Sequence, residues 1–84
     1  MKVEVRFFAS LKETTGCAGL SLELPRGADF VQLCDALAAR FGTAALDALR
    51  ADNVRVARNQ TLAEPPFELA DGDEVAFLPP VTGG

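Results

Sequence analysis

The stretch Asp71-Gly72-Asp73-Glu74-Val75-Ala76-Phe77-Leu78-Pro79-Pro80, running on into Val81-Thr82-Gly83-Gly84, decides the architecture. Asp-Gly-Asp is a strong turn signal: glycine reaches φ values closed to other residues, and aspartate bonds the nearby backbone. The turn launches Glu74 to Leu78 as a strand, and Pro79-Pro80 ends it, because neither proline has an N–H to give a neighbouring strand. Four uncharged residues remain. A glycine pair brings no side chain to bury and loses more freedom on ordering than any other residue, so it finishes a fold poorly. What it offers is slimness. Two residues without Cβ atoms can thread a narrow channel and present a bare carboxylate, and the end reads as a functional arm rather than a frayed terminus.

Working outward, Val3, Val5 and Phe7 alternate with Glu4 and Arg6 as a half-buried strand, and Leu20, Leu22 and Leu24 alternate with Ser21 and Glu23 as a second. The intervening Lys12 to Gly19 reads as the hairpin loop, and Pro25-Arg26-Gly27 closes the pair. A helix then opens at Asp29, an N-cap whose partner Gln32 completes a capping box. Phe30, Leu33, Cys34, Leu37, Ala38 and Phe41 form its apolar stripe, and Gly42 sits where a left-handed cap is expected. A shorter amphipathic turn runs from about Ala44 to Arg50, with Leu46 and Leu49 inward. Val54 and Val56 flank Arg55 in a third strand ending at Asn59-Gln60, and Glu64-Pro65-Pro66 is a turn.

Hairpin, helix, strand and last strand, joined through a right-handed crossover, require a parallel pair somewhere in the sheet. The economical solution is α+β: a β-grasp (ubiquitin-like) fold, with a mixed sheet of four to five strands packed on one main helix. Residues 1–80 would form the domain and residues 81–84 a flexible tail. Strand parity then leaves apolar residues over. Phe8 should point away from the face of Val3, Val5 and Phe7, Leu78 away from that of Val75 and Phe77, and Leu62 lies past the third strand. Two readings stand for these three: isolated hydrophobes, covered or exposed, which are normal, or a contiguous docking patch beside the exit of the arm.

Composition narrows the function. At 84 residues, 49% of them hydrophobic and 24% charged, the chain is one ordinary globular domain. It would bury roughly 60–65% of its unfolded surface. A net charge of −4, with the Lys and Arg residues scattered, argues against gripping nucleic acid and suits a basic protein partner. No apolar run approaches the ~20 residues of a membrane span. The N-terminus reads as a strand rather than a signal peptide, so the expected compartment is the cytosol. Cys34 falls on the apolar helix face as a core residue, whereas Cys17 lies in the loop, where a thiol role in sulfur handling competes with none at all. The chain has no histidine. That removes Ser–His and Cys–His nucleophile pairs and the commonest metal ligand, and no metal site is expected.

Asn59-Gln60-Thr61-Leu62, together with residues 71–84 and the opening Phe7-Phe8-Ala9, resembles the MoaD family, the small subunit of molybdopterin synthase. The resemblance spans nearly the whole chain, and Pro79-Pro80-Val81-Thr82-Gly83-Gly84 is its most specific part. It implies a sulfur carrier that is not a catalyst on its own. A MoeB-like partner would use ATP to adenylate the carboxylate of Gly84, and sulfur from a donor protein would replace the adenylate to give a thiocarboxylate. A MoaE-like large subunit would receive Val81, Thr82 and Gly83 as an extended tail, with Phe8, Leu62 and Leu78 in partner contact. Cyclic pyranopterin monophosphate would accept the sulfur, and two transfers would build the dithiolene of molybdopterin. The implied assembly is a heterotetramer in which a monomeric carrier with a mobile tail binds each half of a dimeric large subunit; no cofactor is bound by the carrier itself. A ThiS-like carrier of thiazole synthesis and a ubiquitin-like protein modifier are the alternatives.

Overall fold

A computed structural model of the chain describes residues 1–80. The expected arm, Val81, Thr82, Gly83 and Gly84, lies outside the described residues. Strand β1 (Lys2–Phe7) alternates exposed and buried side chains without a break, which sends Val3, Val5 and Phe7 into the core. Strand β2 (Gly19–Glu23) pairs with it antiparallel, Leu20 facing Val5 and Leu22 facing Val3. Leu24, expected in the strand, lies one residue beyond it and is buried.

The connection between them is not a plain loop. It holds helix α1 (Ser10–Thr15), capped by Gly16 at φ 79 and ψ 10, a left-handed value that glycine adopts freely. Leu11 is the apolar anchor of α1, and the Thr15 hydroxyl bonds back to the Leu11 carbonyl at 3.0 Å. One buried leucine in six residues gives no helical periodicity to read, so the sequence pattern shows only polar and turn residues.

Helix α2 (Phe30–Phe41) begins as its cap requires. The Gln32 N–H donates to the Asp29 carboxylate at 3.0 Å, and the Asp29 N–H donates to the Gln32 side chain at 3.2 Å. Its buried face is Phe30, Leu33, Cys34 and Leu37. Gly42 is not a left-handed cap: φ is 94 but ψ is 163, so the chain extends for one residue and restarts at once as α3 (Thr43–Leu49). The positive φ still calls for glycine. In α3, Leu49 and Ala45 are buried and Leu46 is half-buried.

Strand β3 (Arg55–Arg58) starts after Val54, and β4 (Thr61–Leu62) takes in Leu62, which the sequence pattern leaves outside any strand. Strand β5 (Glu74–Leu78) follows the Asp71-Gly72-Asp73 turn as expected. Among the described residues the sheet runs β2-β1-β5-β3-β4, with β1 and β5 parallel at its centre and the other pairs antiparallel. The helices cover one face. Phe7 meets Phe41 edge-on at 5.6 Å, Phe7 stacks with Phe77 at 6.0 Å, and Phe30 lies 6.1 Å from Phe77. Such pairs add to the burial that drives the core.

Asp73 ties the β3–β4 corner to β5. It is 6% exposed and accepts from Arg58 Nε at 2.9 Å, Asn59 Nδ2 at 3.0 Å and the Ala70 N–H at 2.8 Å. Burial pushes its carboxyl up, but the bonds from Asn59, Ala70 and Arg58 and the Arg58 charge outweigh that and hold it below the usual carboxylate value. A lowered folded value contributes stability that is present at neutral pH and fades as pH falls below about 4. Asp73→Ala strands three donors, so thermal unfolding should show a loss of about 2 kcal/mol, or about 10 °C in a domain this small. Asp73→Asn should lose this acid-sensitive part of the stability curve, and an unchanged acid limb would show that the corner contributes nothing.

Candidate docking face

The face of the sheet away from the helices is built by register. Arg6, Ala76, Ala57 and Leu62 stand opposite one another across β1, β5, β3 and β4, and Arg55 faces Leu78 in a neighbouring row. Two alanines at the centre of the first row lower the surface, leaving a hollow of about 460 Å³. It is lined by Arg6, Phe8, Ala57, Gln60, Leu62, Glu74, Ala76 and Leu78. The alanines are buried although they point away from the core, because the taller side chains around them shield them. Arg6 and Glu74 close one side of the rim with a 3.1 Å ion pair.

The structure brings the three parity residues together. Phe8 is 43% exposed, Leu62 is 67% exposed and Leu78 is half-buried, all on this hollow. Phe8 follows the buried Phe7 and its N–H donates to the Phe77 carbonyl at 3.2 Å, which places it at the end of β5. Ala57 and Ala76 were accessible to the same parity argument, from Val56 and Phe77, but their small size hides them from a search for large apolar residues. Gln60 carries no such signal.

A second cleft, of about 720 Å³, continues past Leu62 and Leu78 to Ala9, Asp52, Asn53, Arg55, Pro79 and Pro80. The two recesses share Leu62 and Leu78, and the second reaches Pro79 and Pro80, where the chain leaves the sheet. Another cleft, of about 300 Å³, lies on the helix side, where the Arg50 guanidinium sits 5.9 Å from the Phe30 ring centroid. It shares only Asp52, Arg55 and Leu62 with the surfaces just described.

Among the described residues, no three His, Cys, Asp or Glu side chains converge on a metal-sized point. Cys17, in a segment where the sequence allows exposure, is half-buried with its Sγ 4.0 Å from the Thr15 hydroxyl. Cys34 is buried, and burial pushes its thiol up to about 11, with Asp35 adding to the rise and Arg50 opposing it. That thiol stays protonated at neutral pH and acts as a core residue. Among the described residues, no helix is long and apolar enough to cross a membrane.

The ThiS family model matches residues 5–84. The molybdopterin synthase sulfur carrier subunit of Escherichia coli is 41% identical, the match covering 98% of this chain and 99% of that one. Among solved structures, the small archaeal modifier protein 1 of Haloferax volcanii superposes with a TM-score of 0.80 at 29% identity, over 95% of this chain and 98% of that one. A chain of the protein–protein complex of subunits 1 and 2 of the molybdopterin-converting factor from Helicobacter pylori gives 0.71 at 30% identity, over the full length of both chains.

Proposed function

The chain belongs to the ThiS family and to its molybdopterin synthase sulfur carrier subunits, and from that premise we propose that it carries sulfur on Gly84 to a large subunit docked on the open face of the sheet. One observation supports the docking most directly: the apolar hollow of Phe8, Leu62 and Leu78 adjoins, through Leu62 and Leu78, a second cleft that reaches Pro79 and Pro80, the residues that lead into the Gly-Gly end. The fold supplies a grip and an exit, and the chain has no histidine with which to do acid–base work near pH 7.

The chemistry follows from the terminal group. A carboxylate is a resonance-stabilised anion with no usable leaving group. Adenylation by an ATP-using partner makes it a mixed anhydride with AMP and releases pyrophosphate. A persulfide on a donor protein then displaces AMP to give an acyl disulfide. A thiol that attacks the donor-side sulfur breaks the S–S bond, leaving a disulfide on the donor and releasing a thiocarboxylate that is ionised at neutral pH. In the large subunit that sulfur passes to cyclic pyranopterin monophosphate, and water restores the carboxylate. Two such charges supply the two sulfurs of a dithiolene. Gly83 and Gly84 have no side chains to clash with a confined site, and the backbone of Val81 and Thr82 can pair with its walls as an added strand.

Intact mass of the protein from its native host tests the reading. A sulfur-for-oxygen exchange located at Gly84 is the expected result, and a population wholly in the oxygen form under conditions of active cofactor synthesis would overturn it. A second reading draws on the likeness to an archaeal modifier protein. In it the same activated Gly84 joins lysines of other proteins, and isopeptide-linked Gly-Gly remnants in a proteolytic digest would reveal it.

A further inference from the structure

Among the described residues, the non-glycine residues at positive φ are Ala9, Asn59 and Gln60. All three border the docking face: Ala9 follows Phe8, and Asn59-Gln60 is the two-residue connection between β3 and β4 that sets Leu62 in place. Arg58 pairs with Thr61, so Asn59 and Gln60 are the central residues of a tight hairpin, where positive φ at both positions favours Asn followed by Gly.

Asn59 is accounted for. Its side chain donates to Asp73 at 3.0 Å and accepts from the Glu74 N–H at 2.9 Å, and its own N–H donates to the Glu74 carbonyl at 2.8 Å. Asparagine also tolerates the left-handed region. Gln60 has neither excuse. It sits at φ 69 where glycine would be unstrained, it is exposed, and the side-chain hydrogen bonds of this corner run through Arg58 and Asn59 rather than through it. Among the described residues its side chain makes no hydrogen bond to the fold. Strained residues that surrounding bonds hold in place cluster at functional surfaces, and this one lines the hollow together with Leu62 and Glu74.

We infer that Gln60 is a specificity-determining contact for the large subunit, its carboxamide hydrogen-bonding a main-chain segment of that subunit as the hollow closes. The inference rests on the docking reading above. A carboxamide offers one acceptor and two donors on a planar group, the complement of a peptide bond. Around it the hollow is apolar apart from the Arg6–Glu74 pair, which is already satisfied. A peptide group brought against this surface loses water and finds Gln60 as its replacement partner, whereas a partner lacking a free main-chain group there leaves the carboxamide unpaired. That difference is what discriminates partners.

The test compares wild type, Gln60→Gly and Gln60→Ala for thermal stability and for affinity to the purified large subunit. Gln60→Gly should raise Tm by about 3 °C, since glycine suits the turn, yet weaken binding about tenfold through the lost interfacial bond. Gln60→Ala keeps the backbone cost without the carboxamide, so its Tm should match wild type while its binding falls as far as that of the glycine variant. Stability and affinity moving in opposite directions is a result that a merely structural role does not give. A lower Tm for Gln60→Gly, unchanged affinity in both variants, or an affinity loss confined to glycine would each overturn the inference. Failure of the docking reading looks different, because wild type itself would then not bind the large subunit.

Discussion

Deleting Gly84, or adding one residue beyond it, is expected to abolish sulfur transfer while leaving Tm within about 1 °C of wild type. The two halves of this expectation have separate causes. Among the described residues the buried core is assembled from Val3 through Phe77, and a glycine at position 84 brings no side chain to add to it. The chemistry, by contrast, tolerates almost no displacement. One residue of extended chain moves the terminal carboxylate by ~3.3–3.6 Å, and misplacing a reacting group by ~1 Å can already cost a hundredfold. Both variants should therefore fall below roughly one per cent of wild-type transfer in a reconstituted assay with the activating enzyme and large subunit. Full transfer by the extended variant would mean that no free carboxylate at position 84 is needed, and the carrier mechanism would have to be abandoned.

Leu62→Asp and Phe8→Asp are expected to weaken large-subunit binding by at least about a hundredfold, the sum of lost apolar contact and a carboxylate forced out of water. An interface of ~800 Å² per partner needs an apolar centre, and this hollow is the one the open face provides. Leu62 is 67% exposed, so its replacement should cost the free domain little, whereas Phe7→Asp, one position before Phe8, places a charge in a site 2% exposed and should prevent folding. Titration calorimetry with the large subunit, alongside circular dichroism of each variant, separates these outcomes. Wild-type affinity in a folded Leu62→Asp variant would place the docking surface elsewhere.

Much of this was legible in the residues, and the exceptions share a physical character. Period-2 alternation located β1 and β2, the Asp71-Gly72-Asp73 turn and Pro79-Pro80 bounded β5, and the parity of a pleated strand told Phe7 from Phe8. The capping box at Asp29 and Gln32 fixed where α2 starts, because two reciprocal hydrogen bonds demand those residue types at that spacing. What escaped was decided by tertiary contact rather than by pattern. Helix α1 exists because one leucine finds the core, and β4 is two residues that pair only because Asn59 and Gln60 reverse the chain. Gly42 was recognised as a special position, but which special conformation it takes depends on how tightly α3 must follow α2. The site divides in the same way. Large apolar residues announced themselves, while the two alanines that make the hollow and the glutamine on its rim did not.

The central pairing of the sheet has a bearing on how the protein is made. Strands β1 and β5 lie side by side, Val5 facing Val75, so the middle of the sheet joins residues separated by almost the whole chain. Contacts so distant in sequence slow folding, because the loop between them must close before they reward it. A ribosome that has released only the first two strands and α2 has made a hairpin and a helix with no centre to hold them. The sheet becomes a single cooperative object only when the last strand arrives, and the residues that would carry sulfur follow that strand directly. A nascent chain that lacks β5 therefore has no centre to its sheet, and the open face that Phe8, Leu62 and Leu78 build together does not yet exist.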